Sequence, residues 1–327
     1  MEPYAPAFDQ VGAIQREKHE IRLLGALSGG AILIYVLLQN LLVGLLLPTG
    51  LYNAYRTQPL LQAGVDILLV LVCLLLPFLL LGKAMTRVSR AQNPLPLEAP
   101  RSKLDFGLAI PVGVGFCILA NTVSSYIISF ISGFGLELSS PDLPLPQGPL
   151  GITVSFFRVV VVAAMVEELC FRGVVMGNLR RYGDFFAVSM ASLVFALMHC
   201  NLIQAPFALI VGFALGYLSI HTGTLWTGIL IHAVNNTVSL VFSYLMEAID
   251  ENAAVLLYTA VTDVLLVLGA VCFLVLLLRR RKRPAPPAVR TASTFGQKFG
   301  AFLLNPTMPI ALGAMIYFTA QFIKKAG

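Results

Sequence analysis

The sequence predicts an all-α, polytopic membrane bundle of about eight transmembrane helices, with a ninth apolar stretch near the C-terminus. Three observations predict it. First, of 327 residues 57% are hydrophobic and only 12% charged, about half the charge of an ordinary soluble chain, and the mean hydropathy is +0.84. Second, eight runs are apolar enough to cross a hydrocarbon core, which takes about 20 residues. Third, basic residues gather in alternate connections between those runs, as the positive-inside rule requires.

The runs are 23–47, 60–81, 106–130, 152–174, 185–199, 207–220, 226–245 and 255–278. The fifth and sixth are short, so their ends are the least defined. A ninth run, 302–323, contains Pro306 and Pro309 and reads as a last span or an interfacial helix. The first 20 residues are polar and carry no cleavage pattern of a secretory signal. They read as a cytoplasmic tail before an uncleaved first span. The whole divides into that tail (1–20), a transmembrane domain (21–278, with its motif core at 152–245), a basic proline-containing linker (279–300) and an apolar C-terminal helix (301–327).

Loop charge gives the orientation. Arg16, Lys18 and Arg22 precede the first run; Lys83, Arg87, Arg90, Arg101 and Lys103 follow the second; Arg180 and Arg181 follow the fourth. Arg279 to Arg283 follow the eighth, and Pro284, Pro286 and Pro287 stiffen what comes next. Within the loop after the third run, Ser139 to Gly148 carries only Asp142, and the loop after the seventh carries Glu247, Asp250 and Glu251. An N-terminus in the cytoplasm and residence in the plasma membrane fit this pattern. The net charge of +6 is therefore a topology signal and implies no nucleic-acid partner. The five cysteines lie in or beside apolar runs without a CxxC pair, which indicates core packing rather than disulfides or a metal cage. Gly212 and Gly216 form a GxxxG in the sixth run, a helix-packing pattern.

Ionisable residues at membrane depth are costly and point to function. The fourth run holds Arg158, Glu167, Glu168 and Arg172. Glu168 and Arg172 are four apart and share a helix face. Glu167 is rotated by about 100° from its neighbour, so one glutamate pairs with the arginine and the other is left to act as a general base. The bland alternative has both acids share Arg172 as structural glue. His199 ends the fifth run, and His232 with Asn236 sits on one face of the seventh, where two donors can aim at one oxyanion. Counting from the run ends sets Glu167 and His199 at depths that differ by about 10 Å.

Neither HExxH, GxSG nor GxGD occurs as an intact motif on a span. What remains is EExxxR (Glu167, Glu168, Arg172), FxxxH (Phe195, His199) and HxxxN (His232, Asn236), in order on successive runs. This set resembles the CAAX prenyl endopeptidase type II family, the CPBP intramembrane proteases, and its bacterial members in particular. The resemblance implies eight helices around a cavity open to the cytoplasm and the membrane. It implies an endopeptidase in which Glu167 and His199 activate water and His232 and Asn236 stabilise the oxyanion. Glu168, Arg172 and Phe195 support them. It also leaves open a metalloprotease in which Glu167, His199 and His232 bind zinc. The implied partners are the lipid bilayer and a membrane-embedded peptide or lipidated, prenylated protein. Two other readings of the same residues are an ion- or proton-coupled transporter and a catalytically silent scaffold or immunity protein.

Overall fold

Apolar stretches in lipid must satisfy their own backbone hydrogen bonds, so each becomes a helix. In the computed structural model, residues 7–46, 50–139, 145–280 and 289–325 are described. The helices are α1 (Ala7–Leu46), α2 (Leu51–Thr57), α3 (Pro59–Ser89), α4 (Lys103–Ser132), α5 (Gly148–Tyr182), α6 (Asp184–Met198), α7 (Ala205–Thr222), α8 (Trp226–Ala248), α9 (Glu251–Arg280), α10 (Phe295–Leu303) and α11 (Met308–Ala320). Strands β1 (Leu136–Leu138) and β2 (Ile323–Lys325) pair antiparallel. Seven described helices are long and apolar enough to cross a membrane, or eight with α10 and α11 taken as one bent span. At 15 residues, α6 falls short of that length.

The eight predicted runs fall on α1 and α3 to α9, with differences that have local causes. Helix α1 begins at Ala7 and takes in most of the stretch read as a tail. No proline interrupts it there, and Arg16, Glu17, Lys18 and Glu20 are ready helix formers. The linker and C-terminal readings meet the same kind of limit. Residues 281–288 and Asp142 lie outside the described residues, while α10 starts inside the stretch read as linker. The ninth run is two helices bent by 75°. Asn305 sits at the break, where its Oδ1 accepts from the backbone N–H groups of Thr307 and Met308 and so caps α11. The paired strands fix its course. Lys298 of α10 donates to the Tyr182 carbonyl at one end of the bundle, and β2 meets β1 at the other.

Close approach depends on glycine at a few positions. Gly115 of α4 and Gly269 of α9 face each other, and a Cβ on Gly115 would lie 3.3 Å from the Gly269 Cα. The GxxxG packs α7 on α6: a Cβ on Gly212 would stand 2.8 Å from Ser192, and one on Gly216 3.0 Å from Val188. Four of the five cysteines are buried and all are free. The turn from α5 to α6 passes through Gly183 at φ +111°, a conformation side chains rarely adopt. This turn makes α5 and α6 an antiparallel hairpin, and the hairpin sets the height of the site.

Candidate active site

Glu167 lies 16 residues before Gly183 and His199 lies 16 after it. Two antiparallel helices leaving one turn reach equal heights after equal counts, here about 24 Å. The depth mismatch expected from the apolar run ends therefore disappears. It arose because hydropathy ends the fourth run at residue 174, whereas α5 continues through Tyr182.

Within α5, wide π-type turns at Phe157–Val162 and Leu169–Met176 bracket the α-helical turn Ala163–Glu168. Such turns often mark functional sites. The two glutamates separate as their angular spacing predicts. Glu168 is fully buried and its Oε1 pairs with Arg172 Nη1 at 2.9 Å, whereas the Glu167 side chain is 24% exposed. Arg172 is itself buried and lies over the Phe195 ring, 4.2 Å from its centroid. Glu168 Oε1 also accepts from His232 Nδ1 at 3.2 Å.

Gly228 makes room for this carboxylate. A Cβ there would stand 2.5 Å from Glu168 Oε2 and 3.0 Å from Ser219 Oγ. Gly228→Ala is expected to push Glu168 off its partners. Overpacking of this kind costs about 1–3 kcal/mol, visible as a lower melting temperature in detergent. An unchanged melting temperature would show that the carboxylate has slack.

The imidazoles are held by their outer nitrogens. His199 Nδ1 lies 2.8 Å from the Phe195 carbonyl. A carbonyl only accepts, so Nδ1 carries a proton, and in the neutral ring the lone pair is then on Nε2. His232 Nε2 lies 3.8 Å from Glu167 Oε2. Phe195 is the shared support: its ring meets His199 edge-on at 4.9 Å and His232 at 6.1 Å. Asn236 Nδ2 donates to the Val159 carbonyl at 2.8 Å, and its Oδ1 accepts from Asn235 Nδ2 at 3.3 Å. One N–H of Asn236 is left for a ligand.

All four proposed catalytic side chains, Glu167, His199, His232 and Asn236, line one cavity of about 530 Å³. Phe195 lines it too, while Glu168 and Arg172 stand behind its wall. Nearer the rim, Arg158 pairs with Asp66 at 2.8 Å, and Tyr55 donates to Asp66 at 2.9 Å. Asp66 and Asn235 also line the cavity and lie outside the three motifs. An acid inside the second apolar run was the available signal for Asp66. Asn235 gave none, because its role depends on the orientation of its neighbour. Among the described residues, no three His, Cys, Asp or Glu side chains are placed to share a metal ion. As arranged, Glu167, His199 and His232 do not make a three-ligand zinc set.

Residues 149–238 match the family model "Type II CAAX prenyl endopeptidase Rce1-like". That stretch contains every residue of the three motifs. Over this segment the chain is similar to the Rce1-like family. A curated Bacillus subtilis protein, "Putative membrane peptidase YdiL", is 28% identical over 152 residues, which are 44% of this chain and 61% of the relative. The chain thus spans about three fifths of that relative's length. No solved structure matches. The matched segment runs from α5 into α8, so it takes in the part of the bundle that carries the motifs.

Proposed function

We propose that this protein is an intramembrane endopeptidase that hydrolyses a peptide bond of a membrane-associated substrate. The observation that carries the proposal is the convergence of Glu167, His199, His232 and Asn236, from α5, the α6 C-terminus and α8, on one cavity. A proton-accepting carboxylate beside an imidazole lone pair suits water activation. Two potential donors on α8 suit a developing oxyanion.

The proposed reaction follows from these positions. Water bound between Glu167 and His199 Nε2 gives one proton to the Glu167 carboxylate, and its oxygen attacks the carbonyl carbon. The carbonyl oxygen takes the negative charge and receives hydrogen bonds from Asn236 Nδ2 and from His232 Nε2, the latter donating in the imidazolium form that faces Glu168. The C–N bond then breaks, and Glu167 returns its proton to the leaving nitrogen. Glu168 and Arg172 hold His232, and Phe195 holds both rings. The proposal includes residence in the plasma membrane, and the charge of the loops supports a cytoplasmic N-terminus.

The test is cleavage of a peptide library by the purified protein in detergent, with and without a strong chelator. Cleavage that persists after exhaustive chelation is the expected result. Loss of cleavage restored by zinc would replace the glutamate–water route with a metal one. No cleavage at all, with proton-coupled flux in proteoliposomes, would make the protein a carrier.

A further inference from the structure

The two ends of the bundle differ in charge, and the cavity belongs to one of them. One end is fixed by contacts among the helix termini. Ser89 bonds Asn178 at 2.6 Å, the Arg101 N–H donates to the Thr222 carbonyl at 3.0 Å, and Arg279 pairs with Asp105 at 3.0 Å. Glu20 of α1 reaches Tyr182 at the same end. Three of the four connections there are flanked by basic residues: Arg87 and Arg90 at the end of α3 with Arg101 and Lys103 before α4, Arg180 and Arg181 closing α5, and Arg279 and Arg280 closing α9, while the short turn from α7 to α8 carries no Lys or Arg. Arg16, Lys18 and Arg22 of α1 lie there as well.

The opposite end is where β1 meets β2 and where Tyr244 bonds the Pro146 carbonyl. Among the described residues its basic ones are Arg56, Arg158, Lys324 and Lys325, against Asp66, Glu137, Glu247, Asp250 and Glu251. The polar part of the cavity wall lies toward this end. Asp66 is near the start of α3, Arg158 near the start of α5 and Tyr258 near the start of α9, all three helices beginning here. Asn121 and Ser239 line the cavity from the half of α4 and of α8 that finishes here.

Lys and Arg in short loops set orientation, and they stay in the cytoplasm. We infer that the cavity opens to the extracytoplasmic face, and that the substrate is an exported or membrane-anchored polypeptide presented from that side. The inference rests on the endopeptidase reading for the word substrate, and on loop charge for its side. It opposes the cytoplasm-facing cavity that the family resemblance implies, because that cavity and the positive-inside rule cannot both hold for this charge distribution. Glu167 lies nine residues beyond Arg158 along α5, about 13 Å. An extended chain advances about 3.3 Å per residue. The segment that reaches the carboxylate must then be unfolded over about four residues next to the scissile bond. A cytosolic prenylated C-terminus would approach from the wrong end.

Sidedness can be read without any cleavage. In a full-length background with the five cysteines replaced, Ser239→Cys places a thiol on the cavity wall and Ala99→Cys places one in the basic connection after α3. Membrane-impermeant maleimide is applied to intact expressing cells and to inverted vesicles. The expected result is labelling of Ser239→Cys at least tenfold faster than Ala99→Cys in cells, with the order reversed in inverted vesicles. Asn121→Cys is the second probe of the wall, should the first variant fail to accumulate. Wall labelling confined to inverted vesicles overturns the inference. A protein that labels as expected but cuts no peptide would retain its sidedness and lose the protease reading alone.

Discussion

Purified protein carrying Glu167→Gln is expected to fold as the parent does and to cut its peptide substrate at least about 10³-fold more slowly, within the 10²–10⁴ span of general acid–base catalysis. The amide has nearly the volume of the carboxylate but cannot take a proton from water or return one to the leaving nitrogen. Stability should hold because Glu167 carries little of the fold. His232 Nε2 lies 3.8 Å from its carboxylate, beyond hydrogen-bonding distance, and a quarter of its side chain is exposed. The measurement pairs a cleavage rate with a melting curve in the same detergent. Unimpaired turnover by well-folded Glu167→Gln protein would remove the acid from the mechanism. A collapsed melting curve would instead make Glu167 structural. Its contrast with the adjacent Glu168, which is fully buried and doubly engaged, is what makes the two outcomes distinguishable.

That contrast was legible in the sequence, because it depends only on helix geometry. Positions 168 and 172 share a face and position 167 does not, and the wide turn beginning at Leu169 leaves the pair intact. The number of spans was also legible, since lipid forces apolar runs into helices. What could not be read from hydropathy was where α5 stops. Its last turns, through Asn178, Arg180 and Arg181, are polar, yet the helix continues because Asn178 and Arg181 find partners in Ser89. That extension is what equalises the heights of Glu167 and His199. Contacts across space were hidden in the same way. Phe195 was visible as a motif letter, but its position between Arg172 and two imidazoles requires three helices to be placed. Gly228 looked like any glycine in a span until a carboxylate was found where its side chain would be.

The buried pair gives the second large effect. Arg172→Met removes the only cation paired with Glu168 within α5 and leaves its carboxylate, in a site with no exposure, with His232 Nδ1 at 3.2 Å in place of two partners. Breaking a buried pair from one side typically costs about 3–5 kcal/mol, because the remaining charge is uncompensated. Replacing both partners leaves no such charge. Glu168→Gln with Arg172→Met should therefore be more stable than Arg172→Met alone, although it differs from the parent at one more position. Such non-additivity, of about 0.5–3 kcal/mol for contacting residues, is measurable from melting in detergent. Activity should not recover with stability. His232 Nδ1 donates to Glu168, and a neutral amide there no longer favours the imidazolium that the oxyanion needs. A double variant regaining both stability and turnover would show that the pair only fills space. A double variant as unstable as the sum of the singles would show that Glu168 and Arg172, 2.9 Å apart, do not sense each other.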